Sequence, residues 1–380
     1  MNALCLTIFS LALMLAAGGR VIEEKHPTGE LKERREVSVD ASGQVVADGA
    51  VTRFYKDGKK SEEIQYRRGS RDGAALAWYP NETKKSELQY RGDELHGLAK
   101  YWFPNGSVQR EANYDHGVRD GAFVEWYGPE RKRVEQNYVN GVLEGVETIW
   151  YSTGQKKIER HYFHGVRQGQ ELRWYPHGPQ QLDAMYDKGV RHGPYKEFHS
   201  DGKPAAELNF VEGLTDGHVV RWHPGGQKKA EGDYIRGLIN GRWQEWHDEE
   251  PYHQSADWNY RKGKSDGLQT FWHENGQKKL EVRFKAGLRT GPWTEWYDNG
   301  QKRGEGAYLQ DAYDGQQRFW YEDGKPWSEH GYQRGIDHGR WIEWDEDGQV
   351  TKDVRYAQGN VLVDRTPPKP EPKPDPEVAK

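Results

Sequence analysis

The sequence predicts an all-β fold, an elongated single-layer antiparallel array of about 13 β-hairpin repeats of 24 residues. Three observations predict it. A glycine recurs with a period of 24 residues. A Trp or Phe stands five residues after each glycine. A second aromatic, with an acid three residues before it, closes each repeat. A fixed period of this size marks a quasi-one-dimensional array whose units contact mainly their neighbours.

The glycines are Gly49, Gly73, Gly97, Gly121, Gly145, Gly169, Gly193, Gly217, Gly241, Gly267, Gly291, Gly315 and Gly339; only the step from Gly241 to Gly267 departs from 24, at 26. The first aromatics are Phe54, Trp78, Trp102, Trp126, Trp150, Trp174, Phe198, Trp222, Trp246, Trp272, Trp296, Trp320 and Trp344. The second are Tyr66, Tyr90, Tyr114, Tyr138, Tyr162, Tyr186, Phe210, Tyr234, Tyr260, Phe284, Tyr308, Tyr332 and Tyr356. Hydrophobic residues make up only 34% of the chain, too few for a thick aliphatic core. Large rings bury much area per residue, so these two rows are expected to form the structural ladder of a thin array.

Each element follows from local chemistry. The first strand runs from just after the glycine through the Trp. In Trp296-Tyr297-Asp298-Asn299-Gly300-Gln301-Lys302 the Asn-Gly pair predicts a two-residue hairpin with positive φ at both central positions. The second strand ends at the Tyr, and a glycine three residues on (Gly117, Gly141, Gly287) opens the link to the next repeat. Alternate positions Leu280, Val282 and Phe284 share one face of that strand. Gln136 and Arg160 occupy inner positions elsewhere, so the buried face is expected to be narrow. Departures are local: Pro80-Asn81-Glu82-Thr83 lacks the turn glycine, Gly128-Pro129-Glu130 is irregular, and His247–Gln254 carries two extra residues. An insertion of that kind belongs in a turn, where it disturbs least.

The ends differ in composition. Residues 1–19 are apolar and read as a signal peptide or N-terminal anchor, so the chain is expected to be exported, with attachment to a membrane through that segment alone, or a cytoplasmic location, as the alternatives. Residues 20–48 form a degenerate N-terminal cap in which Thr28-Gly29-Glu30-Leu31-Lys32 echoes the repeat turn. The array occupies 49–360. Alternating Pro and charge over 361–380 reads as an extended disordered tail. The single cysteine, Cys5, leaves the array without disulfides or a thiol metal site.

A formal charge of −5 argues against a general nucleic-acid binder. His199, His223, His247 and His273 follow the Trp or Phe in four consecutive repeats and invite a metal reading. Geometry opposes it: equivalent positions two strands apart lie about 9–10 Å from each other, whereas zinc ligands sit about 2.1 Å from the ion. Stacked or solvated imidazoles are expected instead. An acid present in every repeat reads as structural, pairing with the turn lysines across strands at about 0.2–1 kcal/mol each. The sequence has no nucleophile elbow and no phosphate-cradling glycine loop, so neither catalysis nor a cofactor or metal is expected.

The unit W-Y-x-x-G-Q-K-K-x-E-x-x-Y-x-x-G-x-x-x-G, clearest in Trp272 to Gly291, resembles the variant MORN repeat of bacterial proteins, including the YwqK-type antitoxin family. The resemblance covers roughly four fifths of the chain and implies side-by-side β-hairpins with an interaction role. The expected function is therefore a non-catalytic scaffold for an unknown protein partner. Contact is expected at the irregular stretch carrying His247, Glu249, Glu250, Tyr252 and His253. The alternatives are a binder of cell-wall glycan or an anionic surface, through exposed rings or the basic turn edge, and an antitoxin-like neutraliser of a partner protein.

Overall fold

The computed structural model describes residues 12–16 and 19–368. Among them every regular element is a β-strand, as the period predicts. The chain divides between Val190 and Arg191 into two bodies. Each is a run of antiparallel hairpins in which a strand pairs with its predecessor and its successor. In the N-terminal body Val45–Phe54, Lys60–Arg67, Ser70–Trp78 and Lys84–Arg91 pair in that order. In the C-terminal body Lys228–Ile235, Leu238–Trp246 and Gln254–Arg261 do the same.

The register explains the period. In the eleventh repeat Gly291 lies opposite Tyr308, Trp293 opposite Gly306 and Trp296 opposite Lys302. A bulge follows Glu295, so one residue of the returning strand is left over beside the Trp. The same bulge recurs at Arg53/Phe54, Ala77/Trp78 and Phe271/Trp272.

The turn after the Trp differs from the two-residue hairpin expected at Asn299-Gly300. Tyr297 and Gln301 close a three-residue loop: Tyr297 N–H donates to Gln301 O (2.9 Å) and Gly300 N–H to Tyr297 O (3.1 Å). Only Gly300 is left-handed, at φ 85°. This is a type I turn followed by a glycine bulge. Asn299 is there for its side chain, whose Oδ1 accepts Gln301 N–H at 2.9 Å. Turns with positive φ at both centres occur at the other end of the repeat, as at Asn140-Gly141 (51° and 79°) and Ala286-Gly287 (52° and 94°). In the glycine-less turn Glu82 takes the left-handed place itself, at φ 68°.

The cap uses the same device: His26 N–H donates to Glu30 O at 2.8 Å, with Gly29 at φ 101°. The strand Gly19–Lys25 pairs with both Ala12–Ala16 and Leu31–Val39. Residues 1–11 and 17–18, most of the apolar lead, lie outside the described residues, as do 369–380 of the proline-rich tail. A closing strand, Asn360–Asp364, runs into the region assigned to that tail, because Val361-Leu362-Val363 still suits a pleated edge and pairs with Val350–Ala357.

The most deeply buried row is not the Trp row. It stands two residues after every reference glycine but the last: Val51, Ala75, Ala99, Phe123, Glu147 and Glu171 in one body, Tyr195, Val219, Trp243, Gln269, Trp293 and Gln317 in the other; after Gly339, Trp341 is half-buried and Ile342 takes the buried place. Its members are matched in size to their cross-strand partners. Phe123 faces Ala112, Ala75 faces Ile64, and Trp243 faces Gly232. Where the row is charged its partners change too. Glu147 accepts from Gln136 and Arg160, which is why those inner positions are not apolar. Glu171, 1% exposed, accepts from Arg167 at 3.0 Å and Arg173 at 2.6 Å. Leaving either carboxylate unpaired would be strongly destabilising.

Candidate interaction surface

Trp78, Trp102, Trp126, Trp150 and Trp174 of the N-terminal body are half-buried, as are Trp222, Trp246, Trp272, Trp296, Trp320 and Trp344 of the C-terminal body. A lysine from the preceding repeat lies over many of these rings: Lys84 over Trp102 (5.3 Å), Lys132 over Trp150 (5.6 Å), Lys228 over Trp246 (5.3 Å) and Lys278 over Trp296 (5.9 Å). The same lysine is held by the recurring acid: Lys84 by Glu87 (2.9 Å), Lys132 by Glu135 (2.9 Å), Lys228 by Glu231 (2.7 Å), Lys278 by Glu281 (2.6 Å). These pairs run along one strand rather than across two. The bulge puts residues three apart on one side, so the cross-strand pairing expected for them is replaced. Each clasp of ring, ammonium and carboxylate is a surface feature worth at most about 1 kcal/mol per contact.

The residue after the Trp locks one repeat to the next. Tyr55 OH donates to Trp78 O (2.7 Å), Tyr79 to Trp102 O (2.8 Å), Tyr151 to Trp174 O (2.9 Å), Tyr297 to Trp320 O (2.9 Å) and Tyr321 to Trp344 O (2.9 Å). The histidine row does the same work: Nε2 of His199, His223, His247 and His273 donates to the carbonyls of Trp222, Trp246, Trp272 and Trp296 at 3.0–3.3 Å. His223 is buried and the other three are half-buried; each stands in for a tyrosine hydroxyl.

The closing tyrosines sit opposite the reference glycines, and burial raises the pKa of several. Tyr260 is pushed up to about 12, mainly by desolvation and then by Glu245 and Tyr234. Tyr308, Tyr332, Tyr162 and Tyr90 move in the same direction for the same leading reason. Their neutral form is favoured by folding. The stability these tyrosines contribute is therefore fully present below about pH 10, the ordinary phenol value, and is lost as pH rises from about 10 through the raised folded value. An alkaline titration should show late phenolate absorbance coinciding with loss of β ellipticity. Ionisation of every tyrosine near pH 10 with the ellipticity intact would contradict it.

The face most suited to a partner lies at the two-residue turns. Val139 and Val142 stand opposite each other across Asn140-Gly141, and Phe163 and Val166 across His164-Gly165. With Val118 they make an exposed apolar stripe in the N-terminal body, Phe163 at 58% exposure. The C-terminal body carries Val211, Leu214, Ile235 and Leu238 at the same places. The stripe stays in register because the aliphatic residue after each turn glycine, Val118, Val142, Val166, Leu214 or Leu238, covers the turn glycine of the following repeat. A Cβ on Gly141 would fall 2.9 Å from Val118 Cγ1, and one on Gly165 3.1 Å from Val142 Cγ1. Sequence reading missed this row because exposed aliphatics there have the same composition as a buried strand end; their placement beside Xaa-Gly turns was the available clue.

The inserted turn is where the sequence places partner contact. His247 N–H donates to His253 O (3.0 Å), Tyr252 N–H to Glu249 O (2.8 Å) and Tyr252 OH to Glu250 Oε1 (3.3 Å). Glu249 and Glu250 are exposed, while His247, Tyr252 and His253 are half-buried. Thus the structure brings these five residues into one turn, with His253 covering Gly276 of the next repeat.

The sequence profile described as the MORN repeat variant matches residues 47–68, 95–116, 143–164, 191–212, 265–286, 289–310, 313–334 and 337–358. The chain is a MORN repeat protein. The profile finds eight MORN repeats; the 24-residue period adds five between them, including the two irregular turns and the insertion. No curated protein matches the chain. Among solved structures the MORN array is similar to a crystal structure of TcdB2-TccC3 without the hypervariable C-terminal region, at 10% identity and a TM-score of 0.17, covering 88% of this chain and 21% of that one. A Photorhabdus luminescens Tc holotoxin pore structure gives 8% identity, a TM-score of 0.15, and coverage of 90% and 23%. The chain thus spans about a fifth of the length of those chains.

Proposed function

We propose that this MORN repeat protein is a non-catalytic scaffold that binds a protein partner along the apolar stripe at its two-residue turns, outside the cytoplasm. The supporting observation is the stripe itself. Val118, Val139, Val142, Phe163 and Val166 are exposed side by side in one body, on a chain with few hydrophobic residues to spare. Contiguous exposed apolar surface of this kind marks interaction sites. The inserted turn with Tyr252 is a second contact on the same reading. The lysines that lie over the indoles weigh against a row of bare rings for sugar stacking.

The test uses substitutions the chain already tolerates. Lys264 and Lys285 occupy the places equivalent to Val142 and Phe163. The double variant Val142→Lys/Phe163→Lys should keep its β ellipticity and lose the proteins that cross-link to the unaltered chain in its own cells. An unchanged cross-linked set would remove the stripe from the function. Recovery of the chain in the cytoplasmic fraction of those cells would remove the export part alone.

A further inference from the structure

We propose that His96, Asp115 and His116 bind one divalent cation of the zinc class. His96 Nδ1 lies 3.0 Å from Asp115 Oδ1, and His116 Nδ1 lies 2.9 Å from the same oxygen. All three ligand atoms fall within 4.8 Å of one another. Ligands on one ion with bonds of about 2.0–2.1 Å stand about 3–3.4 Å apart. Two imidazoles and a carboxylate are a donor set that suits zinc, with a fourth position open. Among the described residues this is the one group of three such side chains so arranged.

The second observation concerns His96 Nδ1. It is buried and makes no hydrogen bond, although a carboxylate oxygen is within contact distance. The repeat shows what this position ordinarily does. The residue before the reference glycine accepts the backbone N–H of the residue 20–22 positions on: Asp48 from Arg68, Glu144 from His164, Gln168 from Lys188, Asp216 from Arg236, Asn240 from Lys262. Even His192 does so, its Nδ1 taking Glu212 N–H at 3.4 Å. His96 does not cap; its nitrogen is turned to Asp115 and His116. Those two residues stand where the neighbouring repeats have Arg91-Gly92 and Val139-Asn140. His116 is fixed by the left-handed turn, at φ 45°, and its ring meets the His96 ring edge-on at 5.6 Å. His192, Asp187 and His164 occupy these three places singly in other repeats; this repeat alone has metal-ligating side chains at all three.

The experiment titrates the purified full chain with ZnCl2 by calorimetry, beside His96→Asn and His116→Asn. Asn is the residue other repeats place at each position, as Asn240 and Asn140, so both variants should fold with unchanged ellipticity. The unaltered chain should bind one zinc equivalent that each variant binds at least about tenfold more weakly, and the imidazole resonances of His96 and His116 should move on addition. Equal affinity in the variants, or no zinc binding by the unaltered chain, overturns the proposal.

Discussion

Trp243→Ala should lower the stability of the C-terminal body by about 3–5 kcal/mol. Trp243 is 5% exposed and forms a core with Val219 and Ala230, flanked by Leu208, Tyr234, Ile239, Trp258 and Tyr260. Its ring meets Tyr234 edge-on at 5.8 Å, and its Nε1 donates to Glu245 at 2.9 Å. Removing it leaves a cavity that neighbouring strands cannot close without breaking their ladder. Trp296→Ala should cost less than half as much, since Trp296 is half-buried under Lys278. Urea unfolding of the two variants checks the order. Equal losses, or a larger loss at Trp296, would show that the row two residues after the glycine is not the core.

Gly232→Ala should also destabilise the body, less strongly and for the opposite reason. A Cβ there would lie 2.6 Å from Trp243 Cε3, 2.7 Å from Arg242 O and 3.1 Å from Trp243 Cα. Two of those atoms are backbone of the paired strand, so relief requires the strand to move, at about 1–3 kcal/mol. The two sites share space and should not be additive. In the Trp243→Ala background Gly232→Ala should cost less, with a coupling of about 0.5–3 kcal/mol. The backbone contact with Arg242 O keeps it from becoming neutral. A double variant whose loss equals the sum of the single losses would separate the two positions.

The repeat, its phase and its strand order were legible because glycine and aromatic spacing report backbone geometry directly. The turn at Asn299 was misread because Asn-Gly suits both a two-residue turn and a type I turn with a glycine bulge. The strand register decides between them, and register depends on partners a local window does not contain. The buried row was hidden for a related reason. Its members include Ala99, Glu171, Trp293 and Gln317, which share no chemistry. What they share is fit to an opposing residue, as when Gln317, fully buried, accepts from Trp293 Nε1 at 2.9 Å and donates to Ala307 O at 3.1 Å. Composition averages over such pairs. The half-buried Trp row, by contrast, was conspicuous in the sequence because many of its rings, such as Trp102, Trp150, Trp246 and Trp296, meet the same lysine and the same acid in a surface clasp copied with little change. The bond from each histidine of that row to the next Trp carbonyl was not legible, because it spans two repeats, and the His96 cluster joins adjacent turns that the spacing argument made for that row does not cover.

The ring-to-carbonyl locks have a kinetic corollary. Tyr297 reaches Trp320 and Tyr321 reaches Trp344, each across 23 residues, and the other tyrosine locks have the same reach. Within each body, closing such a loop carries the same entropic cost wherever it happens. Nucleation is therefore open to any pair of adjacent hairpins, and lengthening the chain adds starting points without adding distant contacts. A β protein built this way can acquire structure while it is still being synthesised, each new hairpin templated by the one already formed.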